Sequence, residues 1–317
     1  MNKAQFRAKI SLFFVMAQKI MGIEPHIKFD CEKQEASDMI AKRLNEDDSL
    51  MICRFGSCEL MALTACINER ELSLPLKLWH LVKRFEPVVL SGLLKRRMFY
   101  NAGFFHKDNE SFEHFTDLMI EDMKQIDVLL SWRHEELRVR KYFQNAVAIP
   151  LGVVEPFQFE NPWSSALEGK KVLVVHPFED SIRTQYGKRK LLFKNPSVLP
   201  DFELKIVKAV QSAAGASPGF SSWFEALDYM KREIDKHDYD IALIGAGAYG
   251  FPLAAHVKRS GKKAFHVGGA LQLLFGIRGS RWDNIPKYHD IFNEHWIRPS
   301  AVETPPKSNL VENSTYW

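Results

Sequence analysis

Apolar and polar positions along this chain switch repeatedly between a helical period and a strand period, and the switches predict the elements. Residues 33–46 place Ala36, Met39, Ile40 and Leu44 on one side of a helix. Ser49 to Arg54 is a continuous apolar run halted by Phe55-Gly56-Ser57, which reads as a buried strand, and residues 59–66 return to helical spacing. Residues 70–125 are mostly helical and aromatic-rich, with a turn at Asn101-Ala102-Gly103, and read as a helical insert. Short strands are predicted at 128–130 and 146–149, and a stronger one at Lys171 to His176. Residues 203–214 and 221–236 are periodic helices, the first apolar at Leu204, Ile206, Val207 and Val210. A strand at 240–244, a helix at 250–260 and a strand at 263–267 complete the series. Strands alternating with helices predict an α/β fold, a Rossmann-like, mostly parallel sheet with helices on both faces.

Three regions follow from this pattern. Residues 1–32 form an N-terminal amphipathic region, 33–298 the main domain, and 299–317 a Pro- and polar-rich irregular tail wrapped on the body. Read as a helix, the first region gathers Phe6, Ile10, Phe13, Phe14, Ala17, Ile20 and Met21 on one face, rimmed by Lys3, Arg7, Lys9 and Lys19. Its apolar core is far below the roughly 20 residues a bilayer span needs, and it lacks the pattern of a cleavable signal peptide. Two roles stay open for it, packing on the protein or a second subunit, and lying on an anionic membrane surface.

Composition narrows the class. At 317 residues, with 46% hydrophobic and 26% charged, the chain matches a globular protein with a substantial core. A net charge of only +4 argues against wholesale nucleic-acid binding. Cys31, Cys53, Cys58 and Cys66 form no Cys-x-x-Cys pair and no zinc pattern, so a reducing cytoplasm is the simplest setting.

Candidate chemistry sits just after predicted strands, where open α/β sheets bind ligands. Gly245-Ala-Gly247-Ala-Tyr249-Gly250 joins a strand to a helix, a Gly-x-Gly-x-x-Gly turn whose backbone can approach a phosphate at a helix N-terminus. An NAD site wants an acid about 20 positions on. Here the next strand ends in His266-Val267-Gly268-Gly269 with no carboxylate. The motif therefore predicts phosphate binding rather than NAD.

Three further stretches carry functional groups. Arg54-Phe-Gly56-Ser57-Cys58-Glu59 ends a strand with a cation and opens a helix with an acid, suited to holding a phosphate, a divalent metal or a proton. Mutual pairing of Arg54 and Glu59, or plain helix-terminus stabilisation by Glu59, is the alternative. After the strongest strand come His176, Glu179, Ser181, Gln185, Tyr186 and Arg189, with His176 read as a general base or phosphate donor, Ser181 as a helix cap and Arg189 as an anion ligand. Gly268-Gly269, Gln272, Arg278, Arg281 and Trp282 add two cations and an aromatic ring. Ordinary surface charge and core packing are the competing roles here.

These loops together resemble the GT-D-type glycosyltransferases found among bacterial surface-polysaccharide proteins, over roughly residues 35–300. The likeness rests on Arg54-Phe-Gly56-Ser57-Cys58-Glu59-Leu60, similar to an Arg-Phe-Gly-Asp-Gly-Glu pattern, and on Ile244-Gly245-Ala246-Gly247 leading into a helix. The stretches from His176 to Arg189 and from Gly268 to Trp282, and the closing Val311 to Trp317, look like a subfamily. The resemblance implies transfer of a sugar from a nucleotide-sugar donor to a glycan or lipid-linked acceptor, in the cytoplasm or peripherally on the inner face of its membrane. It implies donor contacts from Arg54, Gly56, Ser57, Gly245, Gly247, Tyr249, Gly250, Gly268 and Gly269, with Glu59 and His176 catalytic. Glu179, Ser181, Gln185, Tyr186, Arg189, Gln272, Arg278 and Arg281 would then line the substrate pocket. The family's Asp-x-Glu motif is thought to serve Mg²⁺ or Mn²⁺ or the catalytic step. Ser57 replaces its first acid, which leaves Glu59 alone as metal ligand or as acid/base. The rival readings are a nucleotide-binding, non-catalytic subunit of a polysaccharide assembly and an NAD(P)- or S-adenosylmethionine-dependent Rossmann enzyme.

Overall fold

A computed structural model describes residues 27–79, 87, 89–106, 108–216, 218–311 and 315–317. The expected N-terminal amphipathic helix lies outside the described residues. Among the described residues seven strands make one sheet: β1 (Leu50–Cys53), β2 (Val128–Ser131), β3 (Val147–Pro150), β4 (Lys171–His176), β5 (Glu203–Lys208), β6 (Ile241–Ile244) and β7 (Lys263–His266). Their order is β3-β2-β1-β7-β6-β4-β5, and every pairing is parallel. This is the α/β layout that the alternating pattern predicts.

Period-two alternation divides the strand side chains between two cores. Met51, Cys53, Leu129, Leu173, Val175, Ala242, Ile244 and Ala264 face one side. There they meet α2 (Ser57–Glu71), α3 (Asn109–Met123), α5 (Trp223–Asp235) and α6 (Gly250–Arg259). Leu50, Ile52, Val128, Leu130, Val172, Val174, Ile241, Leu243 and Phe265 face the other side. Those pack against α1 (Lys33–Asn45), α4 (Glu179–Tyr186) and a group of short 3-10 turns. Both faces are covered, so the strands read as nearly continuous apolar runs.

One element differs in kind from expectation. Glu203–Lys208 is the edge strand β5, paired with β4 from Lys171↔Glu203 to His176↔Lys208, and not a helix over 203–214. Its apolar residues serve both faces, Ile206 in one core and Val207 in the other, which scrambles the one-sided signal of a half-buried strand. The helix expected at 59–66 is longer, Ser57–Glu71, and the remaining elements agree to within about two residues at each end. The helix expected at 221–236 is α5, and the strand, helix and strand at 240–267 are β6, α6 and β7.

The described residues between β1 and β2 are mostly helical, as read. They include Leu74–Trp79, Gly92–Arg97 and a single π-turn, Met98–Ala102, which ends at Gly103 with φ of 79°. Helix α3 buries Phe112, Phe115, Met119 and Met123, and so belongs to the main core as the crossover that returns to β2. The described residues beyond 298 form turns and short 3-10 segments, and Glu303 among them clamps α4. The Glu303 carboxylate accepts from the backbone N–H groups of Asp180 (2.8 Å) and Ser181 (3.2 Å), capping that helix.

The topology also fixes where a ligand goes. From β4 the chain moves outward to β5, whereas from β6 it moves inward to β7. Neighbouring strands whose connections diverge leave a crevice at their carboxyl ends.

Candidate active site

A cleft of about 1130 Å³, counted to its open mouth, lies across those carboxyl ends. It is framed by Arg54 after β1, Trp132 after β2, His176 closing β4, Gly245 after β6 and His266 closing β7. The first turn of α2 supplies Gly56, Ser57, Cys58 and Glu59. The π-turn supplies Asn101 and Ala102, and the chain's last two residues, Tyr316 and Trp317, close the far side.

Glu59 stands at the third position of α2, and its carboxylate folds back over Gly56. A Cβ on Gly56 would lie 2.1 Å from Glu59 Oε2, so only glycine leaves that space. Burial pushes the Glu59 carboxyl above its ordinary range, opposed by a hydrogen bond to its own backbone and by the Arg54 charge. Arg54 donates from Nη1 to the Phe55 carbonyl (2.9 Å) and lies over the Trp132 ring at 5.8 Å. Its Nε is buried without a partner. A Cβ at Gly268, where φ is +74°, would come within 3.0 Å of that nitrogen.

Two buried histidines form the floor. His176 Nδ1 accepts from the Phe178 N–H at 3.1 Å, which puts the ring proton on Nε2. Burial lowers its pKa to about 3, so His176 is a neutral imidazole at neutral pH that offers its Nε2–H as a donor. His266 is held at about 3 by burial and by the nearby Arg54 cation, while it hydrogen-bonds the Arg54 backbone.

The glycine turn makes room for neighbouring side chains and backbone. A Cβ on Gly245 would meet His176 Cδ2 at 2.7 Å and the Gly268 carbonyl at 2.8 Å. On Gly250 it would meet His266 Nε2 at 2.4 Å. Both glycines make room for imidazole rings. Gly247, at φ of +55°, approaches the Ala102 carbonyl, and Gly269 makes room for Tyr316. Tyr249 lines the cleft, but its hydroxyl is engaged with Ser212 at 3.0 Å and its ring stacks on Trp223.

Of the expected site residues, the cleft brings together Arg54, Gly56, Ser57, Glu59, His176, Gly245, Gly247, Tyr249, Gly268, Gly269, Gln272 and Arg281. Gly250 lies behind it, against His266. The α4 residues do structural work elsewhere. Glu179 pairs with Arg183 (3.0 Å), and Ser181 donates to Glu303. Gln185 donates to the Gly276 and His295 carbonyls, and Tyr186 bonds to the Phe202 backbone. Arg189 pairs with Asp201 at 2.7 Å, and Arg278 lies over Phe292. Trp132, Asn101, Gln211, His266, Tyr316 and Trp317 line the cleft without having been singled out as ligands from the sequence. Of these only His266 had a local signal, as a polar residue closing an apolar strand.

The cleft's own side chains offer a divalent cation a single charged ligand. Among the described residues no three His, Cys, Asp or Glu side chains converge, and Glu59 is the one carboxylate lining the cleft. Mg²⁺ and Mn²⁺ favour several oxygen ligands. Here one carboxylate stands beside a guanidinium that competes for its charge.

No family model and no curated protein matches the chain. Three solved structures are similar to it. A selenomethionine form of domain of unknown function 1792 is 13% identical, with 87% of this chain and 85% of that one covered, at a TM-score of 0.39. The same domain, described as having a distinct glycosyltransferase fold, is 14% identical, covering 80% and 82% at 0.37. A glycosyltransferase with this domain from Streptococcus sanguinis is 12% identical, covering 85% and 98% at 0.36.

Proposed function

We propose that the chain is a glycosyltransferase that moves a sugar from a nucleotide-sugar donor to a hydroxyl of a glycan or lipid-linked acceptor. The observation that carries this reading is the placement of Glu59 and Arg54 side by side in the crevice at the strands' carboxyl ends. In this reading the donor diphosphate sits against Arg54, the N–H groups opening α2 and the Nε2–H of His176. Arg54, rather than a divalent ion, meets the charge that grows on the leaving diphosphate. Ionised Glu59 takes the acceptor's hydroxyl proton as that oxygen bonds to the anomeric carbon. The bond from that carbon to the diphosphate breaks, and nucleoside diphosphate leaves with the electron pair. Trp132, Tyr316 and Trp317 give the apolar faces on which a sugar or base packs.

A thermal-shift panel of UDP-, GDP-, CDP- and dTDP-sugars in EDTA, beside NAD(P)H and S-adenosylmethionine, tests the proposal. A donor at 100 times its Kd adds about 2.7 kcal/mol, a shift of several degrees. One nucleotide-sugar class should stabilise the protein without metal. Response to NAD(P)H or S-adenosylmethionine alone overturns the proposal.

A further inference from the structure

Exposed apolar side chains are concentrated in one part of this molecule. Leu74 (71% exposed), Leu76, Leu78, Val89 and Leu93 (61%) all fall within 20 residues of chain. Among the described residues only Leu191, Val302 and Leu310 are comparably large, apolar and exposed, and they are scattered. The two apolar segments meet at the last turns of α2. Lys77 Nζ donates to the Glu69 carbonyl (3.2 Å), the Leu90 N–H donates to the Glu69 carboxylate (3.4 Å), and Asn68 Nδ2 donates to the Pro87 carbonyl (3.0 Å).

Charge is equally lopsided there. Within Leu74–Trp79 and residues 89–97 stand Lys77, Lys95, Arg96 and Arg97 and no acid. Arg96 and Arg97 are exposed. Protein–protein interfaces deplete charge from their apolar centres, whereas leucines mixed with an excess of cations fit an anionic lipid surface.

We propose that the surface built from Leu74–Trp79 and residues 89–97 docks on an anionic phospholipid bilayer. No helix among the described residues is long and apolar enough to cross a membrane, so the contact is peripheral. Docking there sets the cleft at a defined height. Helix α2 runs from this surface at its C-terminal end to Gly56 and Glu59 at its N-terminal end, about 20 Å at 1.5 Å per residue. The Gly92–Arg97 helix also continues directly into the π-turn whose Asn101 and Ala102 line the cleft. Docking does not depend on the sugar-transfer reading, because it is measured without any donor.

The test is sedimentation of the full chain with vesicles of phosphatidylcholine alone or mixed with phosphatidylglycerol. The protein should pellet with the anionic vesicles, be released by salt, and ignore the neutral ones. At about fivefold per basic residue, Arg96→Glu/Arg97→Glu should weaken binding at least about tenfold. Leu76→Glu/Leu93→Glu should do the same while melting as the wild type does. Absence of wild-type binding overturns the proposal, and so does binding that survives in both variants. A dimer that Leu76→Glu/Leu93→Glu splits, without vesicle binding, also overturns it and assigns the surface to a second copy of the chain.

Discussion

The carboxylate of Glu59 occupies the space where a side chain on residue 56 would begin, 2.1 Å from the position of a Gly56 Cβ. Gly56 has φ of −72° and ψ of 144°, a conformation open to any residue, so its backbone tolerates alanine. The only atoms in the way belong to the end of the Glu59 side chain. Gly56→Ala should therefore fold, at a cost of about 1 kcal/mol for the changed helix cap. It should also displace the carboxylate from its seat. Sugar transfer should drop at least about tenfold with the melting temperature nearly kept, measured by nucleotide release and thermal denaturation. Wild-type turnover in this variant would mean that the folded-back position of Glu59 is not the working one.

Gly245 and Gly250 give the opposite pattern. Their missing side chains are replaced by buried rings and backbone that cannot step aside, His176 with the Gly268 carbonyl in one case and His266 in the other. Gly245→Ala and Gly250→Ala should each destabilise by about 1–3 kcal/mol, as overpacking does. Chemical denaturation reads this directly. An unchanged midpoint in both variants would show that the turn yields, and would restore a phosphate cradle as the reason for the glycines.

Stability should carry a pH signature from Glu136. This fully buried carboxyl accepts from the Ser131 hydroxyl and the Trp132 N–H, and burial raises its pKa to about 7. Between its ordinary value near 4.5 and about 7, the folded chain holds a proton that the unfolded chain releases, so stability falls as pH rises. Glu136→Gln removes that slope. Relative to the wild type the variant should gain up to about 3 kcal/mol between pH 4.5 and 7.5, whatever its constant offset. His176 and His266 act with the opposite sign, their contribution being present above pH 6.5 and lost as pH falls toward 3. A constant difference between Glu136→Gln and wild type across that range would place the folded pKa near normal.

Local pattern made most of the sheet legible and part of the site. β4, β6 and β7 are short apolar runs bounded by turn residues, and each ends in a polar residue or glycine that reaches the cleft. β5 escaped because an edge strand with apolar residues on both sides lacks a clean period of two. The α4 residues lie outside the cleft, which local pattern does not show because a polar stretch after a strand looks alike whether it faces a substrate or its own tail. Glu303, 122 residues from Ser181, turned that stretch into a capped helix. Tyr316 and Trp317 were invisible as site residues for the same reason. Only the fold brings them to Gly269 and Gln272, where the Tyr316 carbonyl accepts from Gln272 Nε2 at 3.1 Å. The glycine spacing was read correctly as a strand-to-helix turn, but spacing alone cannot say whether the vacated volume belongs to a phosphate or to a histidine.

The most direct test of the account is steady-state release of nucleoside diphosphate, with sugar transfer to an acceptor, by wild-type protein and by Glu59→Gln. The substitution keeps size and removes the ability to take a proton. The account predicts turnover by the wild type in EDTA and a loss of about 10²–10⁴ in kcat for Glu59→Gln, with donor-induced stabilisation retained. Equal turnover by the two proteins, or wild-type turnover that appears only on adding Mn²⁺ or Mg²⁺, would contradict it.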